Sequence, residues 1–297
     1  MLRIAIPKGS LEEGTFQLFK EADLRILRRG ERDYNLQIDD PRISETFMLR
    51  PQEIPSYIQE GEFDLGITGY DWIVETNSNV QEVADLQFSK GGYRKVKIIL
   101  ATDNSNPVVD VKNIRDDARI VTEYPRITKD FFQQLEKDKV SIRLSHGATE
   151  IKVPRLADYL VDVTETGTTL RENGKKILAV ILESSTKLIA NIDSWNDPEK
   201  RQSMKDIAGL LMGVLYAKGR VLIKMNVVEK NLNALIETLP SMKGPTISSL
   251  LKRGNGGEKY FAVETIVEKS QLNILLPEIR RAGATDILEI NVDRIMP

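Results

Sequence analysis

A short apolar strand that runs into a Thr-Gly-Thr-Thr turn is the feature that most constrains how this chain can fold. The run from Leu160 to Val163 is short and rich in β-branched residues, which predicts a buried strand. Gly167 stands among three threonines, and this composition predicts a tight turn that opens a helix. A buried strand that leads into a helix is the repeating unit of α/β layer folds, so we expect that class of fold.

The same turn has the chemistry of a phosphate site. Its backbone N–H groups are predicted to be unpaired, with the hydroxyls of Thr166, Thr168 and Thr169 beside them and the positive end of a helix dipole behind them. Asp162 and Glu165 would repel a phosphate, so they suit ribose hydroxyls or a divalent cation instead. A phosphorylated, activated ribose carries all of these groups. The alternative is an ordinary strand that ends in a capping threonine, with both acids on a solvated edge.

The two acids differ in how well they are placed. If the strand continues straight through Glu165, its carboxylate and that of Asp162 point to opposite faces, and only one of them can reach the sugar. Both can reach it only if the turn begins at Glu165. Asp162 is therefore the stronger candidate.

Other motifs and the composition argue against several classes of protein. The chain lacks the Walker pattern and a Gly-x-Gly-x-x-Gly turn after a strand, which argues against P-loop ATPases and dinucleotide dehydrogenases. Its 42 basic and 44 acidic side chains nearly cancel, so we expect no nucleic-acid surface and no polybasic membrane anchor. Cysteine is absent and His146 is the single histidine, which excludes thiolate or histidine metal clusters and a Cys nucleophile.

We expect a soluble protein of the cytoplasm. Residues 1–7 have a strand pattern without the apolar stretch of a signal peptide, and the longest uncharged apolar run, 207–217, is too short to span a bilayer. The expected partners are small molecules and further copies of the chain, with no nucleic acid and no membrane.

Up to residue 218, strands alternate with amphipathic helices, as in an α/β fold. Residues 64–69 form a second buried strand that ends in a glycine turn, so its carboxyl end should open onto the same crevice as the Thr-Gly-Thr-Thr turn. We place a hinge between two series of elements near residues 94–100.

The pattern changes after Gly219. Residues 219–297 follow the order β-α-β-β-α-β, which predicts a ferredoxin-like split unit. Pro277 lies within the last predicted helix, where it removes one hydrogen bond and costs about 3 kcal/mol unless the helix kinks. The glycine-rich segment 254–257 is predicted to be a hairpin connection rather than a phosphate site.

Seven segments of the sequence together resemble the ATP phosphoribosyltransferase family, in the long form that has a C-terminal regulatory domain. They are residues 6–11, 49–54, 64–71, 122–125, 147–150, 162–173 and 243–248. The resemblance extends over essentially the whole chain. Thr164 departs from the family pattern, which usually has an aliphatic residue at this position.

The resemblance implies a fold and a domain plan. The expected fold class is α/β, with a two-lobed periplasmic-binding-protein-like catalytic core and a C-terminal ferredoxin-like (ACT-like) α+β domain. The expected domains are lobe I (1–95 with 186–218), lobe II with the phosphoribosyl-diphosphate loop (96–185) and the regulatory domain (219–297). A homo-oligomer, either a hexamer or a dimer, is also implied.

The resemblance further implies an activity. The enzyme would join adenine N1 of ATP to C1 of 5-phosphoribosyl 1-diphosphate and release diphosphate, as the first step of histidine biosynthesis. Dependence on Mg²⁺ and feedback inhibition by histidine are implied as well.

The roles expected of single residues follow from the resemblance and from their positions at strand ends. The expected catalytic residues are Lys8, Arg50 and Asp162. Those expected to bind 5-phosphoribosyl 1-diphosphate are Asp162, Glu165, Thr166, Gly167, Thr168 and Thr169. Those expected to bind ATP are Lys8, Arg50, Asp71, Tyr124 and Glu150. Asp162 and Glu165 are also the candidate metal ligands, for a magnesium ion held largely by the substrate.

Three alternatives stay open at this point. The bilobal fold could serve a small-molecule sensor without catalysis. A phosphoribosyltransferase could act on another base, such as orotate. The C-terminal module could be an oligomerisation surface rather than an allosteric site.

Overall fold

The computed structural model describes residues 1–30, 34–88, 95–240, 244–251 and 258–296. The chain divides into two compact units, Met1–Ala208 and Gly209–Pro297. The predicted hairpin loop 254–257 lies outside the described residues. Among the helices of the described part, none is long and apolar enough to cross a membrane.

The first unit alternates strands and helices, as its sequence pattern predicts. In chain order they are β1 (Leu2–Pro7), α1 (Glu12–Glu21), β2 (Ile26–Leu27), β3 (Asn35–Ile38), β4 (Ile43–Leu49), α2 (Ile54–Gln59), β5 (Leu65–Gly69), α3 (Tyr70–Thr76), β6 (Gln81–Asp85), β7 (Val96–Asp103), β8 (Arg119–Thr122), α4 (Pro125–Gln134), β9 (Ser141–Leu144), β10 (Tyr159–Thr164), α5 (Thr168–Glu172), β11 (Lys175–Ser184), β12 (Thr186–Ala190), α6 (Ile192–Asn196) and α7 (Pro198–Ala217). The last of these helices continues past Ala208 into the second unit.

These strands form two sheets. The first has seven strands in the order β2-β3-β4-β1-β5-β12-β6, and β1 is parallel to both β4 and β5. The second has five strands in the order β11-β7-β10-β8-β9, and β8 is parallel to both β9 and β10. The predicted α/β core with two periplasmic-binding-protein-like lobes is confirmed. Because parallel strands end at the same edge of a sheet, each sheet gathers several strand ends at one edge.

The central strand β5 illustrates how sequence sets the packing. All five of its residues are buried, as expected of a central strand covered on both faces, and β5 is parallel to β1 and antiparallel to β12. Gly66 lets α2 lie directly on this strand, because an added Cβ would come within 2.8 Å of Ile54 Cγ2. Full burial of Ile54 and Ile58 on this surface contributes about 2–3 kcal/mol each.

The chain passes between the two sheets twice, and the return passage is a single residue. β11 ends at Ser184, and β12 begins at Thr186 in the other sheet. Ser185 between them donates a hydrogen bond of 2.7 Å to a carboxylate oxygen of Asp85, the last residue of β6. This bond connects the end of β6, where the first passage between the sheets begins, to the return passage at Ser185.

The hinge predicted near residues 94–100 is wrong for residues 96–100. They form the first part of β7, and Ile98 and Leu100 are completely buried there. A strand that pairs on both sides cannot absorb a hinge rotation without losing its ladder hydrogen bonds. Arg94 lies outside the described residues.

The second unit has the predicted β-α-β-β-α-β order. Its elements are β13 (Arg220–Val228), α8 (Leu232–Thr238), β14 (Thr246–Ser249), β15 (Tyr260–Glu268), α9 (Leu272–Arg281) and β16 (Thr285–Asn291). The strands form one antiparallel sheet in the order β14-β15-β13-β16, which confirms the ferredoxin-like arrangement. Alternate residues of β13 are buried, so one face of the sheet supplies the core.

Pro277 lies inside α9, as the sequence predicts. A proline at this position cannot bond to the carbonyl of Asn273, four residues earlier. Asn273 and Pro277 are both exposed, so water can reach that carbonyl, whereas Leu275 and Ile279 on the other side are buried. The proline therefore occupies the side of the helix where a lost hydrogen bond costs least.

One buried carboxylate ties several elements of the first unit together. Asp64, only 1 % exposed, directly precedes β5. It accepts hydrogen bonds from the backbone N–H of Arg3 at 2.8 Å, the hydroxyl of Ser194 at 2.6 Å and the ammonium of Lys200 at 2.8 Å. Burial alone raises the pKa of Asp64, but the bonds from Lys200 and Ser194 outweigh it, and the pKa is lowered.

Replacing Asp64 with Asn should destabilise the protein by about 3 kcal/mol, because the amide cannot accept all three bonds and leaves donors unpaired. Asp206 on α7 is the matched control, since its carboxylate is half exposed and lies 4.0 Å from Arg42. Asp206→Asn should change stability by less than about 0.5 kcal/mol. Urea denaturation followed by circular dichroism measures both changes, and equal effects of the two variants would contradict this role of Asp64.

Candidate active site

A cavity of about 300 Å³ is lined by residues that directly follow strands of both sheets. Five of the predicted site residues line it. They are Lys8, Arg50, Asp71, Tyr124 and Glu165. The cavity therefore lies where ligands of open α/β sheets bind, beyond the carboxyl ends of the strands.

Two cations stand at neighbouring strand ends on one side of the cavity. Lys8 follows β1 and Arg50 follows β4, and the parallel register pairs Pro7 with Leu49 just before them. The Lys8 ammonium donates a hydrogen bond of 2.7 Å to the hydroxyl of Tyr34. Two positive charges side by side at strand ends suit a polyphosphate ligand.

A buried hydrogen-bonded group links the two sheets at the cavity wall. Asp71, at the start of α3, accepts hydrogen bonds from the hydroxyl of Tyr124 at 2.9 Å and from that of Ser184 at 2.6 Å. Burial raises the pKa of Asp71, while these two bonds act in the opposite direction. Burial and the nearby charge of Asp71 raise the pKa of Tyr124 well above its ordinary value. Tyr124 therefore stays protonated and keeps donating to Asp71.

Helix α3 makes further contacts with Tyr124 and with the start of α4. The rings of Trp72 and Tyr124 stack with their centroids 4.6 Å apart and their planes at 28°. The carboxylate of Glu75 accepts the N–H groups of Arg126 and Ile127, both at 2.9 Å, at the start of α4. A carboxylate there pairs with the positive end of the helix dipole. The wall of the cavity between α3 and α4 is therefore both aromatic and firmly held.

Asp162 lies in β10, two residues before the strand ends. Burial raises the pKa of its carboxyl group to about 6, and the charges of Glu123 and Glu150 act in the same direction. The backbone N–H of Val163, at 2.7 Å, and the side chain of Thr149 donate hydrogen bonds that oppose this rise. This carboxylate is partly desolvated and lies among like charges. A ligand that brings a cation or hydroxyl donors therefore stabilises its ionised form.

Three side chains behind Asp162 form a directed chain of hydrogen bonds. The ammonium of Lys152 donates to Ser145 Oγ at 2.5 Å and to the carbonyl of Gly147 at 3.0 Å. An ammonium cannot accept, so the Ser145 hydroxyl accepts from Lys152 and can donate its own hydrogen to Thr149 Oγ1, 3.2 Å away, with the carbonyl of Gly147 as a longer alternative at 3.5 Å. The Thr149 hydroxyl is then free to donate to Asp162.

The predicted turn after β10 is confirmed. Gly167 has a φ of +72° and opens α5 at Thr168. However, the prediction that the N–H groups of the turn are unpaired is wrong for Gly167. Its N–H donates a hydrogen bond of 2.9 Å to the hydroxyl of Thr164.

Further bonds hold the turn from within. The hydroxyls of Thr166 and Thr168 lie 2.9 Å apart. The guanidinium of Arg171 donates to the carbonyl of Thr166 at 3.0 Å and to the hydroxyl of Thr168 at 3.2 Å. The turn is therefore ordered by its own side chains, with a positive charge at its edge.

The predicted residues after β10 do not all line the same cavity. Glu165 lines the main cavity, whereas Gly167 lines a second cavity of about 390 Å³ together with Arg171. Asp162 lies near Glu123, which lines the main cavity, and near Glu150, since both charges act on its carboxyl group.

Sequence reasoning missed Glu123, Trp72 and Ser184 as site residues, although all three line the main cavity. Glu123 directly follows β8, so its strand-end position was a usable signal. Trp72 stands beside the predicted Asp71. The role of Ser184 depends on the chain leaving one sheet for the other, which local sequence does not reveal.

Asp162 and Glu165 offer carboxylate oxygens, the ligands that magnesium prefers. Within the described residues, no three His, Cys, Asp or Glu side chains are grouped so that they could hold a metal ion. This donor set fits an ion that takes most of its ligands from substrate phosphates and water, because magnesium is commonly bound by one or two carboxylates in this way.

Comparison with protein families gives two matches in sequence order. Residues 50–213 match the family described as ATP phosphoribosyltransferase. Residues 217–294 match the family described as HisG, C-terminal domain.

Comparison with single proteins extends these matches over the full length. An ATP phosphoribosyltransferase of Pelotomaculum thermopropionicum is 42% identical over 296 residues, covering 100% of this chain and 99% of that protein. One of Chlorobaculum parvum is 41% identical over 296 residues, covering 100% of this chain and 98% of that protein. Among solved structures, the "ATP phosphoribosyl transferase (HisG:HisZ) complex from Thermotoga maritima" superimposes with a TM-score of 0.61 and 26% identity, covering 71% of this chain and 97% of that chain.

Proposed function

The chain belongs to the ATP phosphoribosyltransferase family, in the long form with the C-terminal domain, and we propose that it joins ATP to 5-phosphoribosyl 1-diphosphate and releases diphosphate. The family consists of pentosyltransferases of histidine biosynthesis. One observation carries the proposal for the site. A single cavity is lined by the cations Lys8 and Arg50 from one sheet and by the acids Glu123 and Glu165 from the other.

The adenine of ATP is proposed to bind against the aromatic wall. Trp72 and Tyr124 both line the cavity, and stacking on aromatic rings is a general way to bind a purine. Asp71 and Glu150 are proposed to contact the same nucleotide, as the family resemblance implies. The triphosphate would extend toward Lys8 and Arg50, whose charges it neutralises.

The ribose 5-phosphate end of the second substrate is proposed to bind at the turn after β10. The hydroxyls of Thr166, Thr168 and Thr169 and the N–H groups of the first turn of α5 would hold the phosphate, since the first N–H groups of a helix have no carbonyl partner within it. Gly167 would shape this turn through its left-handed backbone. Asp162 lies on the adjoining strand end and would accept hydrogen bonds from the ribose hydroxyls. Its carboxylate is desolvated, which strengthens such bonds.

The mechanism needs no protein nucleophile. The electron pair of adenine N1 forms the new bond to C1 of the ribose as the bond from C1 to the diphosphate oxygen breaks, and that bonding pair leaves with diphosphate. The positive charge that develops on the sugar resembles an oxocarbenium ion. The chain contributes by aligning two polyanions and by placing Lys8 and Arg50 near the departing charge.

Magnesium, when bound with the substrate, supplies charge that neutralises the phosphates. We propose that Asp162 and Glu165 are the carboxylates that hold it. We further propose that residues 1–95 with 186–218 and residues 96–185 act as the two catalytic lobes, and that the enzyme acts in the cytoplasm.

The C-terminal unit, residues 219–297, is proposed to be a regulatory domain through which histidine inhibits the enzyme. We also propose that the chain assembles as a hexamer or a dimer. The match of residues 217–294 to the family C-terminal domain supports a separate role for this unit.

A direct assay tests the proposed reaction. The protein is mixed with ATP, 5-phosphoribosyl 1-diphosphate and magnesium, with and without histidine, and diphosphate release and the ultraviolet change at adenine are followed. We expect turnover that requires both substrates and decreases when histidine is added. No turnover from a folded protein would contradict the proposal, and turnover with orotate in place of ATP would assign a different acceptor. Ribose 5-phosphate, which has no diphosphate to release, is the negative control.

A further inference from the structure

Tyr34 lies outside the cavity wall but holds one of its cations. It directly precedes β3, and its hydroxyl accepts a hydrogen bond of 2.7 Å from the ammonium of Lys8. The same ammonium lies 4.3 Å from the centroid of the Tyr34 ring. The side chain of Lys8 therefore has a defined partner that does not line the cavity, although a lysine head group is usually mobile.

The charges around Tyr34 explain why a fixed partner is needed. Lys8, Arg28 and Arg50 all act on its hydroxyl and lower the pKa of Tyr34, with the hydrogen bond from Lys8 as the largest cause. Arg28 is itself held by Glu12 at 3.1 Å. Like charges gathered around one hydroxyl repel one another, so a flexible lysine without a partner would move away into water.

A tyrosine also suits this role better than an acid. A carboxylate partner would hold Lys8 but would cancel its charge. A phenol in its protonated form holds an ammonium through its oxygen and its ring, the two contacts that Tyr34 makes with Lys8, and leaves the positive charge in place. Because an ammonium can only donate, the phenol hydrogen of Tyr34 points elsewhere, and the Lys8 bond does not depend on it.

We propose that Tyr34 is a positioning residue that holds the Lys8 ammonium at the cavity for the diphosphate group of a substrate. This inference rests on the proposed function of the cavity as the site of phosphoribosyl transfer. The ligand it addresses is a diphosphate or triphosphate moiety, whichever substrate carries it. Tyr34 acts through Lys8 and does not touch the reacting atoms.

Two substitutions separate the parts of the contact. Tyr34→Phe keeps the ring and removes the oxygen acceptor, and Tyr34→Leu removes both. Tyr57 on α2 is the matched control. It is another tyrosine of the first unit and is 37% exposed. Binding of inorganic diphosphate with magnesium to the full chain, measured by calorimetry, is a readout that does not depend on turnover.

We expect Tyr34→Phe to weaken diphosphate binding by about five- to tenfold, as for the loss of one charged hydrogen bond. Tyr34→Leu should weaken it further, and Tyr57→Leu should not change it. In the Lys8→Met background, Tyr34→Phe should have no additional effect, since the two residues act as one unit. The KM for the diphosphate-bearing substrates should rise more than kcat falls.

The possible results distinguish a failure of the role of Tyr34 from a failure of the proposed function. Unchanged diphosphate binding in folded Tyr34→Phe and Tyr34→Leu, with normal turnover by the wild type, overturns the role of Tyr34 and leaves the proposed function standing. An equal loss with and without Lys8 means that Tyr34 contacts the ligand itself, which overturns the positioning role. A wild-type protein that neither binds diphosphate nor turns over both substrates overturns the proposed function and this inference together.

Discussion

Replacing Asp162 with Asn should abolish phosphoribosyl transfer and, at the same time, make the protein without substrate more stable. The loss of activity follows from the role proposed for the carboxylate, which accepts hydrogen bonds from the sugar as positive charge develops on it. Removing one such electrostatic contact lowers kcat by about 100-fold or more. The assay with ATP and 5-phosphoribosyl 1-diphosphate measures this loss.

The gain in stability follows from the raised pKa of Asp162. Its ordinary value of 3.8 rises to about 6 in the folded protein, so between these values the folded state keeps a proton that the unfolded state has lost. Stability therefore falls as the pH rises through this window and stays lower above it. A shift of roughly two pKa units corresponds to about 3 kcal/mol, which Asp162→Asn recovers above about pH 6.

Thermal unfolding in metal-free buffer at about pH 8 and about pH 5 tests the sign of this effect. The variant should unfold at a higher temperature than the wild type at the higher pH, and the difference should shrink at the lower pH. Asp158, just before the same strand, is the matched control, because the hydrogen bond from Arg119 lowers its pKa. Asp158→Asn should therefore destabilise the protein at the higher pH. Destabilisation by Asp162→Asn at both pH values would contradict this account.

The pH dependence of catalysis should reflect the ionisation of Asp162. Asp162 has to be ionised to accept hydrogen bonds from the ribose, and protonation near pH 6 removes that capacity. The kcat/KM for 5-phosphoribosyl 1-diphosphate should fall about tenfold for each pH unit below about 6. An acidic limb that lies far below this range would show that Asp162 is already ionised when the substrate binds.

The sequence predicted those parts of the fold whose signal is local. The buried run at 64–69 and the strand-to-turn step at Gly167 were both found, because burial on both faces and a left-handed glycine each leave a mark within a few residues. The order of elements after Gly219 was found for the same reason. By contrast, β6 is short and polar and lies in the sheet only because β12 pairs with it, and nothing in its own sequence predicts this.

Several contacts of the candidate site depend on residues far apart in the chain. Asp71 bonds to Tyr124, 53 positions later, and to Ser184, 113 positions later. The chain changes sheets at Ser185, within segment 177–189, where no glycine or proline marks the break. Strand-end positions could be predicted, but the partners that hold each side chain there are set by tertiary packing.

Replacing Gly167 with Val should abolish phosphoribosyl transfer and leave the fold intact. Its φ of +72° lies in the left-handed region, where a β-branched residue is strongly disfavoured. An added Cβ would also come within 3.2 Å of the Arg171 guanidinium and 3.4 Å of Ile177 Cδ1. The turn must then shift, and with it the hydroxyls and N–H groups proposed to hold the 5-phosphate.

Gly174 provides the matched control for this prediction. It has a φ of +65° at the other end of α5, and its added Cβ would meet no atom within 4 Å. Gly174→Val should therefore carry a similar backbone strain of about 1–3 kcal/mol but retain kcat and the KM for 5-phosphoribosyl 1-diphosphate. Melting temperatures and steady-state kinetics of both variants separate strain from function. Full activity of Gly167→Val would remove the assignment of the phosphate to this turn, and equal loss in both variants would attribute the effect to strain in α5 rather than to the turn.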